Sequence, residues 1–215
     1  MVQTQNLKLV AMGNPLLDMQ IRDGEEVLRK YGLKANDAVL ASPVQLSIYQ
    51  HIVENYQVTY VAGGAAQNTA RCAQYALPEG STAYLGCVGN DDLANQLRAA
   101  NDREGLQSVY QVNSETATGS CAVVITGHDR SLCTNLGAAE KFTKEHLESA
   151  DAKAAIQAAQ FYYLGGFFLT HGVESALSLA QHAKEAGKFF SMNLSAPFIC
   201  LLYTSDAADE GLGVD

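Results

Sequence analysis

Short apolar runs alternate with longer segments whose apolar residues recur at helical spacing. KLVAMGN predicts a short strand ending in Gly13-Asn14, and LLDMQI, with apolar and polar residues intermixed, predicts a second. Asp23 is the expected cap of a helix of about two turns, with Glu25 and Glu26 near its positive end and Gly32 after it. Ser42-Pro43 predicts the start of another helix, with Leu46, Tyr49, Ile52, Val53 and Tyr56 on one face. VTYVA reads as a strand closed by Gly63-Gly64. The helix after it carries Ala66, Ala70, Ala73 and Ala76, small residues that suit close packing on a sheet. AYLGCVG is a strand, and Asn90 or Asp91 caps the helix that Gly105 stops. VYQV is a strand, and GSCAVVIT and RSLCTNL form a hairpin about Gly127-His128-Asp129. A largely helical stretch from Thr143 to Ala159, the strand FYYLGG, a helix from Val173 to Ala186 and the strand FFSMNLS complete the order. The alternation predicts an α/β fold with a mainly parallel sheet. The early strands and the hairpin break the alternation and predict a small separate sheet over the main one.

Composition narrows the class. The 215 residues are 47% hydrophobic and 17% charged, ordinary for a soluble globular chain. The net charge of −9, with no basic stripe, argues against nucleic acid and anionic membranes as partners. No apolar run reaches membrane-spanning length and MVQTQNLKLV lacks the apolar core of a signal peptide, so the Asn193-Leu-Ser195 sequon is expected to go unused. The five cysteines form no Cys-x-x-Cys pair and no zinc spacing, and are expected to be buried free thiols in a reducing compartment. The five histidines, at positions 51, 128, 146, 171 and 182, pair with no visible nucleophile and receive no catalytic role.

The candidate chemistry lies at the glycines. Gly63-Gly64 between strand and helix permits positive φ and close backbone approach, and the first turn of the following helix offers free N–H groups to an oxygen-rich ligand. Asn68 can reach the same mouth. The alternative is a tight turn with close helix packing, since the pattern is neither a dinucleotide fingerprint nor a Walker loop. Asn14 and Asp18 bracket the end of the first strand, and a carboxylate there can accept both hydroxyls of a vicinal diol; the alternative for Asp18 is a solvated turn residue. Arg130 near the hairpin tip could clamp a phosphate, or be a solvated turn charge.

MGNPLLD, AGGAAQNTARCAQ, GCVGNDDLA, TGSCAVVITGHDRSLCTNLGAA, GGFFLT and NLSAPFI occur in that order. Together they resemble the ribokinase-like (PfkB) family of carbohydrate and nucleoside kinases, from about Leu9 to Ile199. The resemblance implies a three-layer α/β/α domain over residues 1–199, with a small β lid from segments of about 15–63 and 118–136. It implies transfer of the ATP γ-phosphoryl group to the ribose 5′-hydroxyl of adenosine, giving AMP, with Mg²⁺ required. Asp18 would hold the ribose hydroxyls, with Asn14, Gly63, Gly64 and Asn68 around the sugar. Leu132 and Phe167 would flank the adenine with Leu16 nearby, and Arg130 would neutralise the transferring phosphoryl. Position 65 is Ala where some members have Ser, which removes a hydroxyl and keeps the backbone N–H. A sugar kinase of the same fold is the rival reading, against which Leu132 and Phe167 count because a free sugar needs no apolar sandwich. A monomer in the cytosol, with the nucleus as a second compartment, is what the resemblance suggests.

Two parts of that pattern are missing. The Gly-Ala-Gly-Asp motif, which in the family supplies an aspartate base and an anion hole, does not occur, and no Asn-x-x-Glu follows NLSAPFI. The chain ends CLLYTSDAADEGLGVD, which resembles a translated sequencing adapter. Cys200 to Asp215 is therefore expected to be non-native, and the chain to be a poorly folded, inactive piece of a longer kinase; the alternatives are nucleoside binding without turnover, or an assembly artefact with no cellular counterpart.

Overall fold

The computed structural model describes residues 1–195 and Ile199. Cys200 and the adapter-like tail lie outside the described residues.

The chain begins with β1 (Leu9–Met12) and β2 (Leu16–Arg22), followed by α1 (Glu25–Tyr31), β3 (Ala38–Leu40), α2 (Ile48–Asn55) and β4 (Thr59–Gly63). It continues through α3 (Ala65–Ala76), β5 (Thr82–Gly89), α4 (Asp92–Arg103), β6 (Gln107–Asn113), β7 (Ser120–Thr126) and β8 (Asp129–Asn135). The last elements are α5 (Ala150–Ala158), β9 (Phe161–Leu164), α6 (Val173–Glu185) and β10 (Phe189–Met192). Two sheets result. The larger has the order β10-β9-β1-β5-β6, with every pairing parallel. The smaller has the order β3-β8-β7-β2-β4 and is mixed.

Helices cover both faces of the parallel sheet, as an all-parallel sheet requires. On one face Ala66 and Ala70 of α3 and Ala94, Leu97 and Ala100 of α4 pack with Ala11, Tyr84 and Val88. On the other, Ala152, Ala155 and Ile156 of α5 and Ala176, Leu179 and Ala183 of α6 pack with Val10, Leu85, Tyr162 and Leu164. This is the three-layer α/β/α arrangement that the family resemblance implies, built on the mainly parallel sheet that the alternation of elements predicts.

The smaller sheet owes its two faces to period-two alternation. Met19 and Ile21 of β2, Ala122 and Val124 of β7 and Cys133 of β8 point toward Val27 and Leu28 of α1 and Ile48 and Ile52 of α2. The intervening residues, including Asp18, Cys121, Arg130, Leu132 and Thr134, line a cleft on the opposite face.

Several local expectations differ from the structure. Asp23 does not cap α1. Its N–H donates to the Ile125 carbonyl, prolonging the ladder with β7, and the chain turns there at φ +55, so Gly24 occupies the cap position without a side-chain bond. Ser42-Pro43 opens a single turn, not α2. The Ser42 amide and hydroxyl both donate to Gln45 Oε1, while Gln45 Nε2 donates to the Tyr31 carbonyl. The regular helix begins at Ile48 and buries Ile48 and Ile52, leaving Leu46 and Val53 exposed. On α3, Ala76 is exposed, and the helix buries Gln67 and Gln74 beside Ala66 and Ala70. Cys72 is exposed, whereas Cys87, Cys121 and Cys133 are buried free thiols. The strand β3 and a 3-10 turn at Gly137–Lys141 have no counterpart in the sequence reading. Asp91 is the cap of α4, its side chain accepting from the Ala94 amide.

Candidate functional site

The first strand and the ninth end side by side, Met12 opposite Leu164, at the C-terminal edge of the parallel sheet. That edge is where open α/β sheets carry their ligand crevices. β1 delivers Gly13 and Asn14 there, and β9 delivers Gly165 to Phe168. The start of α3 descends onto the same point because three small residues meet: a Cβ on Gly13 would come within 2.7 Å of the Ala66 Cβ, and one on Gly165 within 3.0 Å. The cleft-facing side of the smaller sheet closes over this edge. The cleft between them holds about 160 Å³ of open volume.

Asn14, Leu16, Asp18, Gly64, Asn68, Arg130, Leu132 and Phe167 all line this one cleft. Gly63 lies behind the carboxylate of Asp18. The sequence reading missed Val39 and Leu40 of β3, Cys121, Thr134, Leu136 and Phe168, which also line it. For Thr134 a signal existed, since positions 130, 132 and 134 alternate along one strand.

The two glycines are demanded by the protein's own groups. A Cβ at Gly63 would overlap the Asp18 carboxylate, and one at Gly64, where φ is +92, would overlap the Asn14 carbonyl oxygen. Antiparallel pairing of β2 with β4 sets this crowding, placing Leu16 opposite Gly63 and Asp18 opposite Val61. A buried chain of bonds then fixes the turn. Gln67, wholly buried, donates from Nε2 to the Gly63 carbonyl at 3.0 Å and accepts from the Tyr110 hydroxyl, which in turn accepts from Asn101 Nδ2 at 2.9 Å. Asn68 faces the cleft, and its Oδ1 accepts a long 3.4 Å bond from Arg71, itself paired with Glu104.

Asp18 is 5% exposed and accepts from Arg130 Nη2 at 2.8 Å. Burial raises its pKa, and the Arg130 charge and hydrogen bond offset part of the rise. The Arg130 side chain is 48% exposed, so it spans from the carboxylate to solvent. Asn14 is also buried, its Oδ1 accepting from His171 Nε2 at 2.9 Å, while its Nδ2 has no partner among the described residues. The loop bearing Phe167 and Phe168 is held from β10's exit: the Gly166 amide donates to Asn193 Oδ1 at 2.7 Å and the Phe167 amide to Ser195 Oγ at 2.9 Å. Both polar side chains of the sequon are therefore engaged in shaping the cleft.

The result is a polar end, with a carboxylate and two amides, joined to an apolar slot of Leu16, Leu132, Leu136 and Phe167. Such a cleft suits a polyhydroxylated ring carrying a flat apolar group. Among the described residues no group of three His, Cys, Asp or Glu side chains could hold a metal ion, so none is assigned to Mg²⁺. Nor is any helix among them long and apolar enough to cross a membrane.

Residues 27–212 match the model of the pfkB family carbohydrate kinases, and the chain belongs to that family. It is 59% identical over 192 residues to the adenosine kinase of Schizophyllum commune, a match covering 89% of this chain and 56% of that protein. The chain thus spans little more than half the length of this relative. Anopheles gambiae adenosine kinase, solved in complex with P1,P4-di(adenosine-5) tetraphosphate, superimposes with a TM-score of 0.89 at 44% identity, covering 94% of this chain and 63% of that one. Schistosoma mansoni adenosine kinase, solved with adenosine in an occluded loop conformation, gives 0.88 at 32% identity, covering 98% and 60%.

Proposed function

We propose that this chain carries the nucleoside-binding part of an adenosine kinase, an enzyme that moves the ATP γ-phosphoryl group to the ribose 5′-hydroxyl of adenosine and yields AMP. The observation that carries the reading is the convergence of the Asp18 carboxylate, the Asn14 and Asn68 amides and the Leu132–Phe167 slot on one cleft. The Asp18 carboxylate accepts hydrogen bonds from the ribose hydroxyls, which desolvation in the cleft makes stronger. Leu132 and Phe167 hold the base between apolar surfaces, with Leu16 at its edge. Arg130, bonded to Asp18 and reaching toward solvent, carries the positive charge that a transferring phosphoryl group needs. ATP is the second substrate. Mg²⁺ neutralises phosphate charge in such reactions, and no described residue is given the task of holding it. The working protein is a cytosolic, and also nuclear, monomer with no nucleic acid or membrane partner.

The Gly-Ala-Gly-Asp motif does not occur in the 215 residues. The chain by itself is therefore expected to bind adenosine without forming AMP. Thermal unfolding of the 215-residue protein tests the first half: adenosine at about 100 times its Kd should stabilise by roughly 2.7 kcal/mol, while ribose at the same concentration should not. Equal shifts with ribose, or none with adenosine, would defeat the nucleoside reading. Release of AMP from ATP and adenosine would defeat the claim of inactivity.

A further inference from the structure

Asn14 has an unusual pair of bonding states for a side chain that is 7% exposed. Its Oδ1 is satisfied by a ring nitrogen of His171, 2.9 Å away and 157 positions along the chain. Its Nδ2 is buried, in the wall of the cleft, with no acceptor among the described residues. An unpaired buried amide costs stability, so its persistence beside a ligand cleft marks a donor kept for a ligand acceptor.

An asparagine amide can present either its oxygen or its nitrogen to a given neighbour, and the two choices are nearly equal in shape. What decides between them is the partner on the other side. A neutral imidazole carries one N–H. Burial pushes the His171 pKa down to about 4, so the ring is neutral across the physiological range. Its Nδ1 is buried and unpartnered, and its ring meets Phe168 edge to face at 4.9 Å between centroids, which fixes the ring plane. His171 sits just past the Gly166–Thr170 turn that also presents Phe167, so the loop flanking the base slot is tied to the residue that faces the sugar.

We infer that His171, as the Nε2–H tautomer, is a positioning residue. It donates to Asn14 Oδ1 and so turns Asn14 Nδ2 into the cleft, where it donates to the oxygen of a ribose hydroxyl whose own proton goes to Asp18. A hydroxyl can serve both partners at once, one donor proton and two acceptor lone pairs being available. This rests on the nucleoside reading of the cleft, and it adds to it a selection for ribose over a deoxyribose lacking that hydroxyl.

The experiment is a comparison of Kd values for adenosine, 2′-deoxyadenosine and 3′-deoxyadenosine with the full 215-residue chain, wild type, His171→Phe and His171→Gln, by calorimetry. His171→Phe keeps a ring against Phe168 and removes the donor; His171→Gln restores an N–H. Adenosine binding should weaken about 10-fold in His171→Phe and recover most of that in His171→Gln. One deoxynucleoside, the one lacking the oxygen met by Asn14, should lose less than about twofold in His171→Phe. In the wild-type protein, long-range nitrogen–proton NMR should place the imidazole proton on Nε2 between pH 6 and 8, with or without nucleoside. Equal losses for all three nucleosides, or a proton on Nδ1, overturn the role of His171 while leaving the nucleoside reading standing. A wild-type chain that binds none of the three overturns that reading, and this inference with it.

Discussion

Replacing Asp18 by Asn separates what the cleft does for a ligand from what it does for the fold. Asp18 is 5% exposed, and the Arg130 side chain that donates to its carboxylate is half exposed. The variant keeps a carbonyl oxygen able to accept from Arg130 and removes a buried negative charge. On the ligand side, two charge-assisted bonds to a ribose diol become one neutral bond and one mismatch. At about 1.5–3 kcal/mol for each charged bond, with a remaining neutral bond of about 1 kcal/mol subtracted, the loss is about 2–5 kcal/mol, or roughly 30- to 5,000-fold in Kd. On the folding side the sign is opposite. Burial raises the folded-state pKa of Asp18, so the folded protein holds its proton more tightly than the unfolded chain, whose value is about 3.9. Asp18 is therefore most compatible with folding below that unfolded value, and stability is lost as pH rises through the raised folded value. Asn does not titrate, so Asp18→Asn should match or exceed the wild-type Tm at pH 7 and lose any advantage in acid. Calorimetric Kd for adenosine, with Tm measured at pH 4 and pH 7, provides both readings. A variant that unfolds more than about 5 °C below wild type at pH 7 yet binds adenosine normally would refute the reasoning, because Asp18 would then be a structural residue.

Two further substitutions probe the same corner. Gly64→Ala forces an L residue to φ +92 and drives its Cβ into the Asn14 carbonyl, so a loss of about 3 kcal/mol, or roughly 6–12 °C in Tm, is expected; Gly127→Ala, at φ +59 with open space around it, should cost only about 1 kcal/mol, and equal losses would remove the steric argument. Arg130→Ala leaves the burial of Asp18 unopposed and raises its pKa further. Adenosine affinity at pH 8 should then stay within about fivefold of wild type, since the guanidinium is half exposed, while the acid limb of a Kd-versus-pH profile moves to higher pH; an unmoved limb would show that Arg130 does not set the charge of Asp18.

Apart from β3, the order of strands and helices, the parallel sheet, the separate small sheet and the hairpin were legible in the chain because hydrophobic period and turn chemistry are local properties. Gly32 stops α1 in the left-handed conformation and Asp91 caps α4, each through bonds to residues close in sequence, and Gly127 turns the hairpin at φ +59. The sequence also marked Asn14, Asp18, the glycine pair, Asn68, Arg130, Leu132 and Phe167, mostly through motif resemblance.

Tertiary structure decided what no local pattern encodes. Asp23 reads as a cap until the ladder to Ile125 claims its amide, and Ser42-Pro43 reads as a helix start until Gln45 closes a single turn there. The glycine pair looks like a bare approach for a ligand, yet the groups that crowd it are the protein's own Asn14 carbonyl and Asp18 carboxylate, delivered by antiparallel pairing of β2 and β4. Above all, His171 carries no motif at all. It meets Asn14 only because β1 and β9 lie side by side, and hydrogen bonds at 3 Å between residues 157 apart are set by sheet order, not by sequence neighbours.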